Sequence, residues 1–202
     1  MFQVMKQPPP ALLPLLRSAF QGELLAWLFL HPGEEYPQVE LARRFKVSPA
    51  SVTREVDRLA DAGLVNDRRM GNLRFVSAAT ETPIARPLTE LLALTYGPTA
   101  VLPDLLVGIP GLEDAYIYGS WAARYSGEPG GVPRDIDVIA VGDADEDDLY
   151  DAARRAERRL GREVNIRRVA RAVWESTDED PFLDAVRSRP LVRLSITRED
   201  SP

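Results

Sequence analysis

Residues 36–65 read YPQVELARRFKVSPASVTREVDRLADAGLV and contain two helical patterns on either side of a tight turn. In the first pattern Val39, Leu41, Ala42 and Phe45 are apolar, and we expect all four to face inward. The turn at residues 46–48 leads directly into the second pattern. Such a pair of short helices indicates a helix-turn-helix arrangement.

The second helix is marked by its start signals and by its apolar stripe. Ser48 is a good N-cap residue, and Pro49 fits the first helical position. The buried stripe is predicted to consist of Val52, Val56, Leu59 and Ala60. The outward face is predicted to consist of Ser51, Thr53, Arg54, Asp57 and Arg58. A helix that exposes small polar and arginine side chains in this setting can enter the major groove of DNA.

A hairpin pattern follows the second helix. Gly63 ends that helix, and residues 64–78 alternate like two strands around a turn at residues 70–72. The basic residues near the tip are Arg68, Arg69 and Arg74. A basic hairpin there would lie along the phosphate backbone, where it would add affinity without reading the base sequence.

Residues 18–78 resemble the winged helix-turn-helix domains of bacterial transcription regulators of the ArsR and MarR type. The resemblance rests on ELARRFKVSPASVTREVDRLADAGLV and the arginine-bearing hairpin after it. It implies a recognition helix, a wing and usually a dimer on a two-fold operator. The predicted contacts to bases or adjacent phosphates come from Ser51, Thr53, Arg54 and Arg58, and those to the backbone from Arg68, Arg69 and Arg74. A protein-interaction winged helix with an incidentally basic surface is the alternative.

The composition limits the classes of protein that this chain can represent. Its 202 residues are 45% hydrophobic, which suits one large or two small globular domains. The absence of cysteine excludes disulfides, thiolate metal sites and a cysteine nucleophile. The start of the chain does not resemble a signal peptide, and no apolar stretch reaches the roughly 20 residues of a membrane span. We therefore expect a cytoplasmic protein without a membrane anchor.

Charge and composition predict two domains of unequal character. Residues 1–80 hold ten Lys and Arg against eight Asp and Glu, whereas residues 81–202 hold fifteen against twenty-three. A polar, proline-bearing segment separates the two parts. In the second part strands and helices alternate, which is typical of an α/β layer. The expected fold class is α+β with two domains: a winged helix in residues 1–80 and an α/β domain with a mixed sheet in residues 81–202.

Asp135 and Asp137 are the candidate metal-binding residues of the second part. Side chains two apart on a strand point to one face, and two carboxylates there repel each other unless a cation lies between them. Mg²⁺ is usually held by one or two carboxylates together with substrate phosphates. Gly119 and Ser120 form a turn at the end of the neighbouring strand, whose backbone N–H groups could meet a phosphate.

Residues 116–169 resemble the minimal bacterial form of the DNA polymerase β-like nucleotidyltransferases. The matching residues are Gly119, Ser120, Asp135 and Asp137. The resemblance implies that the Gly-Ser turn binds the phosphates of a nucleoside triphosphate and that both aspartates ligate Mg²⁺ and serve catalysis. The sequence departs from the family at Asn165, where a third carboxylate is usual, and Glu163 on the same strand face could substitute for it. Arg124 is also displaced from the family's position.

These patterns together predict a DNA-binding transcription regulator whose second domain binds a nucleotide and a divalent metal or supports dimerisation. One alternative is an active nucleotidyltransferase that modifies a protein, a small molecule or an RNA and uses the winged helix for docking. Another is an antitoxin-like partner protein. The expected partners are operator DNA, a possible nucleotide and a second copy of the chain. The leucines considered for the dimer contact are Leu12, Leu13, Leu15 and Leu16.

Overall fold

The computed structural model describes residues 16–176, 178 and 180–196. The chain divides into two compact units, Met1–Gly97 and Pro98–Pro202. The division falls later than the predicted boundary at residue 80, because a helix after that point packs on the first helix of the chain. Among the described residues, no helix is long and apolar enough to cross a membrane.

The first unit is a helix-turn-helix followed by a two-stranded wing. Its elements are α1 (Ala19–Leu30), β1 (Tyr36–Pro37), α2 (Gln38–Arg44), α3 (Pro49–Asp61), β2 (Val65–Met70), β3 (Leu73–Ala78) and α4 (Ala85–Tyr96). The antiparallel sheet has the order β1-β3-β2. The predicted hairpin is confirmed, with Gly71 and Asn72 at its turn.

Local signals in the sequence explain where α3 begins and ends. The Ser48 side chain accepts a hydrogen bond from the backbone N–H of Ser51, and Pro49 occupies the first turn. At the other end the N–H groups of Gly63 and Leu64 donate to the carbonyls of Ala60 and Leu59. Gly63 adopts a φ of 70°, which a glycine allows at little cost. Both predicted boundaries of α3 are therefore confirmed.

Val39 does not face inward, contrary to the prediction. The residue is 58% exposed, whereas Leu41 and Ala42 are buried and Phe45 is half-buried against Phe20. A helix turns by about 100° per residue, so a side chain two positions from Leu41 lies on the opposite side of α2. An amphipathic helix with only seven residues cannot bury both faces.

The second unit is a mixed four-stranded sheet with helices around it. Its elements are α5 (Pro98–Leu106), β4 (Leu112–Tyr118), α6 (Gly119–Tyr125), β5 (Asp135–Gly142), α7 (Glu146–Leu160), β6 (Glu163–Val169), α8 (Arg171–Glu175), α9 (Pro181–Arg187) and β7 (Val192–Arg193). The strand order is β6-β5-β4-β7. The β5 and β6 strands are parallel, while β4 is antiparallel to both of its neighbours. The predicted mixed sheet is thus present.

Apolar residues cover the face of this sheet that carries the two aspartates. Ile139 and Val141 of β5 form a buried cluster with Val169, Leu183 and Val186. These residues fill the space beneath α9, and Tyr116, Tyr118, Trp174, Phe182 and Leu191 pack around them. The cluster stops short of Asp135 and Asp137, which lie at the start of β5. A polar site can therefore form at that end of the sheet.

The leucines considered for a dimer contact lie mostly beyond the described part of the chain. Leu12, Leu13 and Leu15 are outside the described residues. Leu16 is half-buried, and its Cδ1 atom lies 2.7 Å from the position that a Cβ on Gly22 would take. Leu16 therefore packs on α1 of its own chain.

Candidate functional sites

The recognition helix α3 presents a short polar face to solvent. Val52, Val56 and Leu59 anchor its inner side in the core, while Thr53 and Arg54 are exposed. The Arg54 guanidinium donates a long hydrogen bond of 3.4 Å to the Ser51 Oγ atom. No ion pair involves Arg54 among the described residues, so its charge is available to an anionic partner.

Three of the predicted DNA-contacting arginines are already paired with carboxylates. Arg58 forms an ion pair with Glu55, which lies one turn earlier on α3. Arg68 donates to both carboxylate oxygens of Glu35, at 2.5–2.9 Å. Arg74 bridges Asp57 of α3 and Asp67 of β2, at 2.5 and 2.7 Å. Each pairing offsets the positive charge that the arginine would offer to a phosphate, and the Arg74 bridges also tie the wing to the recognition helix.

Arg69 differs from these three arginines. It is exposed at the end of β2, and the described part of the chain offers it no ion pair. A groove of about 360 Å³ lies beside it, between the wing tip and the two helices. The groove is lined by Gln38, Val39, Thr53, Arg69, Gly71, Asn72, Leu73 and Arg74. The structure therefore brings Thr53, Arg69 and Arg74 to one concave surface.

The sequence patterns did not predict two features of the first unit. Val39 lies on the groove instead of in the core. Glu55 is buried, with 7% exposure, although it occurs on a strongly polar helix. The helical step places Val39 about 60° from Ala42 and about 160° from Leu41, so periodicity alone puts it at the edge of the buried face and does not reveal its exposure. The burial of Glu55 depends on contacts remote in sequence, and no local signal predicts it.

In the second unit, the register of the strands places five polar side chains near one another. Asp137 of β5 is paired with Tyr118 of β4 on one side and with Asn165 of β6 on the other. Asp135 lies one pleat repeat away on the same face, opposite Glu163. The Asn165 amide nitrogen lies 3.5 Å from the Asp137 Oδ1 atom. The predicted juxtaposition of both aspartates with Asn165 is present.

Gly119 begins α6 directly beside Asp137. Its φ is 67°, and a Cβ atom at this position would lie 3.0 Å from the Asp137 Oδ2 atom. A larger residue would therefore be strained and would crowd the carboxylate. Ser120 follows and is exposed at the same end of the sheet. The close approach explains why this turn needs a glycine whatever the site binds.

Burial raises the pKa of Asp137 above its ordinary value, and the negative charges of Asp135 and Glu163 raise it further. The hydrogen bond from Asn165 acts in the opposite direction. A carboxylate held among other carboxylates is stabilised when a cation lies between them. In the described residues, however, no group of three or more Asp, Glu or His side chains is placed to hold a metal ion. Two aspartates and an amide oxygen are what the chain offers, a donor set that fits Mg²⁺ when phosphate oxygens complete the coordination.

Arg124, the displaced arginine, holds the loop before β5. Its guanidinium donates to the backbone carbonyl of Glu128, and Gly130 packs so closely against the guanidinium that a Cβ atom there would overlap it. Arg124 thus orders the segment between α6 and β5. This contact assigns it a structural task within the loop.

An antiparallel wing after a helix-turn-helix defines the first unit as a winged helix. Residues 18–71 match the model of the MarR family. This range contains α1, α2, α3 and the wing up to its turn. The N-terminal part of the chain is therefore a MarR-type winged helix DNA-binding domain. The match leaves the second unit unassigned.

Three solved structures illustrate the likeness of the fold. Reduced HlyU from Vibrio cholerae is 23% identical, with a TM-score of 0.34, over 41% of this chain and 81% of its own. BldR from Sulfolobus solfataricus is 25% identical, with a TM-score of 0.34, over 42% and 59%. A ZitR mutant from Lactococcus lactis in complex with DNA is 19% identical, with a TM-score of 0.33, over 47% and 61%.

At these TM-scores the three likenesses add no argument to the family match. This chain spans less than two thirds of the BldR and ZitR chains. No curated protein matches the sequence.

Proposed function

We propose that this protein is a sequence-specific DNA-binding transcription regulator that places α3 in the major groove of its operator. The observation that carries the proposal is the pairing state of the arginines. Arg54 on α3 and Arg69 on the wing have no ion pair among the described residues, and Arg69 and Thr53 line one groove. Cations without a carboxylate partner are the groups that gain most from replacing the counterions of DNA.

The two arginines take different tasks in this proposal. Arg54 is on the exposed face of α3 and contacts base edges or the phosphates next to them, with Ser51 and Thr53 beside it. Arg69 is at the wing tip and contacts the phosphate backbone. Arg58, Arg68 and Arg74 contribute less because their charges are shared with Glu55, Glu35, Asp57 and Asp67.

Variants of the two arginines test this assignment. Arg54→Ala is expected to lose about 1–3 kcal/mol on the preferred sequence and to discriminate less between sequences. Arg69→Ala is expected to weaken binding to all sequences alike and to lower the slope of log K against log salt by about 1. Binding isotherms at several salt concentrations measure both effects. Unchanged binding in both variants would overturn the proposal.

The regulator is proposed to act as a homodimer, since a two-fold operator needs two recognition helices. Exposed apolar side chains on α4 and at the residue before it support this proposal, because Ile84, Leu91 and Leu94 are about half exposed. Sedimentation equilibrium would give the mass in solution. A dimer that dissociates in Leu94→Glu supports the contact, and a wild-type monomer at micromolar concentration contradicts it.

For the second unit we propose a binding site for a nucleoside triphosphate and Mg²⁺. Asp135 and Asp137 would hold the metal with the amide oxygen of Asn165, and Gly119 and Ser120 would face the phosphates. The metal would neutralise phosphate charge when bound. The closeness of Gly119 to Asp137 supports the proposal, since it brings the turn and the carboxylates to one end of the sheet.

Titration calorimetry with ATP, with and without Mg²⁺, tests this site. We expect Mg²⁺-dependent binding in the wild type and its loss in Asp137→Asn, with Asp143→Asn as a control for the same charge change at an exposed position. Transfer of label from α-labelled ATP to an acceptor would favour the enzyme alternative. Asn165 argues against efficient transfer, because an amide cannot take the proton of an attacking hydroxyl.

A further inference from the structure

Val39 is an apolar side chain exposed beside the recognition helix, and the fold of its own unit does not require it there. The residue is 58% exposed and lines the groove between the two helices and the wing tip. Thr53 of α3 and Arg69 of the wing line the same groove. An exposed valine beside an arginine that has no ion pair in the described part of the chain suggests a ligand with both an apolar group and negative charge.

The hydroxyl group of Thr53, which lines this groove, has hydrogen-bond acceptors of the protein beside it. Its hydroxyl lies 3.1 Å from the Pro49 carbonyl oxygen and 3.3 Å from the Gln38 Oε1 atom. A threonine hydroxyl has one hydrogen to donate, and both of these neighbours are acceptors. Since that hydrogen is engaged within the protein, Thr53 can offer a base its methyl group or, as an acceptor, its hydroxyl oxygen, and only the methyl group suits a base edge that has no donor.

Duplex DNA presents an apolar group within a polyanion. Thymine carries a C5-methyl group at the edge of the major groove, and side-chain carbon atoms commonly contact it. Arg54 follows Thr53 on α3 and Arg69 lies across the groove, so cations for the flanking phosphates are at hand. The charge and the shape of the groove therefore favour DNA as its occupant.

We infer that Val39 of α2 and Thr53 of α3 together form a contact site for a thymine C5-methyl group, so that α2 takes part in reading the operator. The inference rests on the proposed DNA-binding function. It assigns sequence selectivity to a helix that lies before the recognition helix in the chain. It also gives a reason for the outward position of Val39.

Deoxyuridine substitution tests this inference, because deoxyuridine differs from thymidine only in lacking the methyl group. The preferred duplex is first selected from a random pool, and each thymine is then replaced singly. At one thymine of each half-site we expect binding by the wild type to weaken about fourfold, the effect of losing one buried methyl group. The other thymines are expected to change the affinity much less.

Val39→Ala is the matching protein variant. Alanine suits an exposed helix position, so the fold is expected to persist. The variant should bind the thymine duplex about as weakly as the wild type binds the deoxyuridine duplex. It should also bind the thymine and deoxyuridine duplexes with equal affinity. Val173→Ala makes the same change at another exposed helical valine, in the second unit, and should keep the full wild-type discrimination.

Two results overturn the inference, and they are distinguishable from each other. The first result is that the wild type binds a selected duplex, but every deoxyuridine substitution lowers its affinity no more than it lowers the affinity of Val39→Ala. The thymine contact is then wrong, while the DNA-binding function stands. If no duplex is selected and none is retained at low salt, the DNA-binding function fails and the inference fails with it.

Discussion

At the scale of single residues, the cations of the DNA-binding domain differ in whether a carboxylate already neutralises them. Arg54 and Arg69 are unpaired within the described part of the chain, whereas Arg68 shares its charge with Glu35. The hydrogen bonds from Arg68 lower the pKa of Glu35, so this carboxylate stays ionised at neutral pH. The pair therefore weakens the attraction of the wing for DNA.

Glu35→Gln should consequently strengthen DNA binding. The substitution frees Arg68 for a phosphate, so we expect higher affinity for all sequences and a salt dependence steeper by about one charge. Glu34→Gln is the matched control, since it removes the same charge from the neighbouring residue, which accepts a hydrogen bond from the Tyr36 hydroxyl instead of from an arginine. Equal effects of the two variants on the salt slope would contradict the role of the Arg68 pair.

Asp137 gives a prediction about pH. Its raised pKa means that the folded state holds this proton more tightly than the unfolded state does. The contribution of this proton to the free energy of unfolding is therefore fully present below the ordinary aspartate pKa of about 3.9. It is lost as the pH rises through the pKa of Asp137 in the folded state.

Asp137→Asn removes this titration and should raise the melting temperature at pH 7 in metal-free buffer. The gain should shrink as the pH falls and the wild-type carboxyl takes up its proton. Thermal unfolding at a series of pH values measures it. A variant that is less stable than the wild type at pH 7 would show that ionised Asp137 stabilises the fold.

Some residue-level features could be predicted from the sequence, and others could not. The cap formed by Ser48 and Pro49 is local and was predicted correctly. The ion pair between Arg68 and Glu35 joins residues that are 33 positions apart, so no local pattern reveals it. The juxtaposition of Asp137 with Asn165 was predictable because both lie on strands that the sequence pattern already indicated.

At the scale of elements, α1 and α4 form the pair that sets the boundary of the first unit. They cross at Gly22, where a Cβ atom would overlap the hydroxyl of Tyr96. That hydroxyl is buried and forms no hydrogen bond with any of the described residues. The sequence predicted a boundary at residue 80 because the polar, proline-bearing segment at residues 78–87 resembles a linker. The contact across Gly22 is long-range, and it assigns α4 to the winged helix unit.

Gly22→Ala should destabilise the first unit. The added methyl group has no room unless the helices separate, and overpacking of this kind costs about 1–3 kcal/mol. Adding Tyr96→Phe removes the nearest atom and should recover part of the loss. Chemical denaturation of the two single variants and the double variant measures the coupling. If Gly22→Ala is as stable as the wild type, the close crossing of α1 and α4 is wrong.

At the scale of the whole molecule, the chain combines a DNA-binding unit with a unit that carries most of the acidic residues. The sequence predicted the winged helix and a mixed sheet after it, because helix caps and strand patterns are local. It predicted less about what the second unit does, since two aspartates and an asparagine can serve binding, catalysis or neither. The arrangement of Gly119, Asp137 and Asn165 now makes a nucleotide and a divalent metal specific ligands to test.

Selection from a random-sequence duplex pool at near-physiological salt, with and without Mg²⁺-ATP, tests the central proposal most directly. The purified full chain is used, and the retained DNA is sequenced. We predict enrichment of a palindromic site, and a change in retention on adding Mg²⁺-ATP would identify the second unit as a nucleotide sensor. A pool that stays random under both conditions would contradict the proposed function as a sequence-specific regulator.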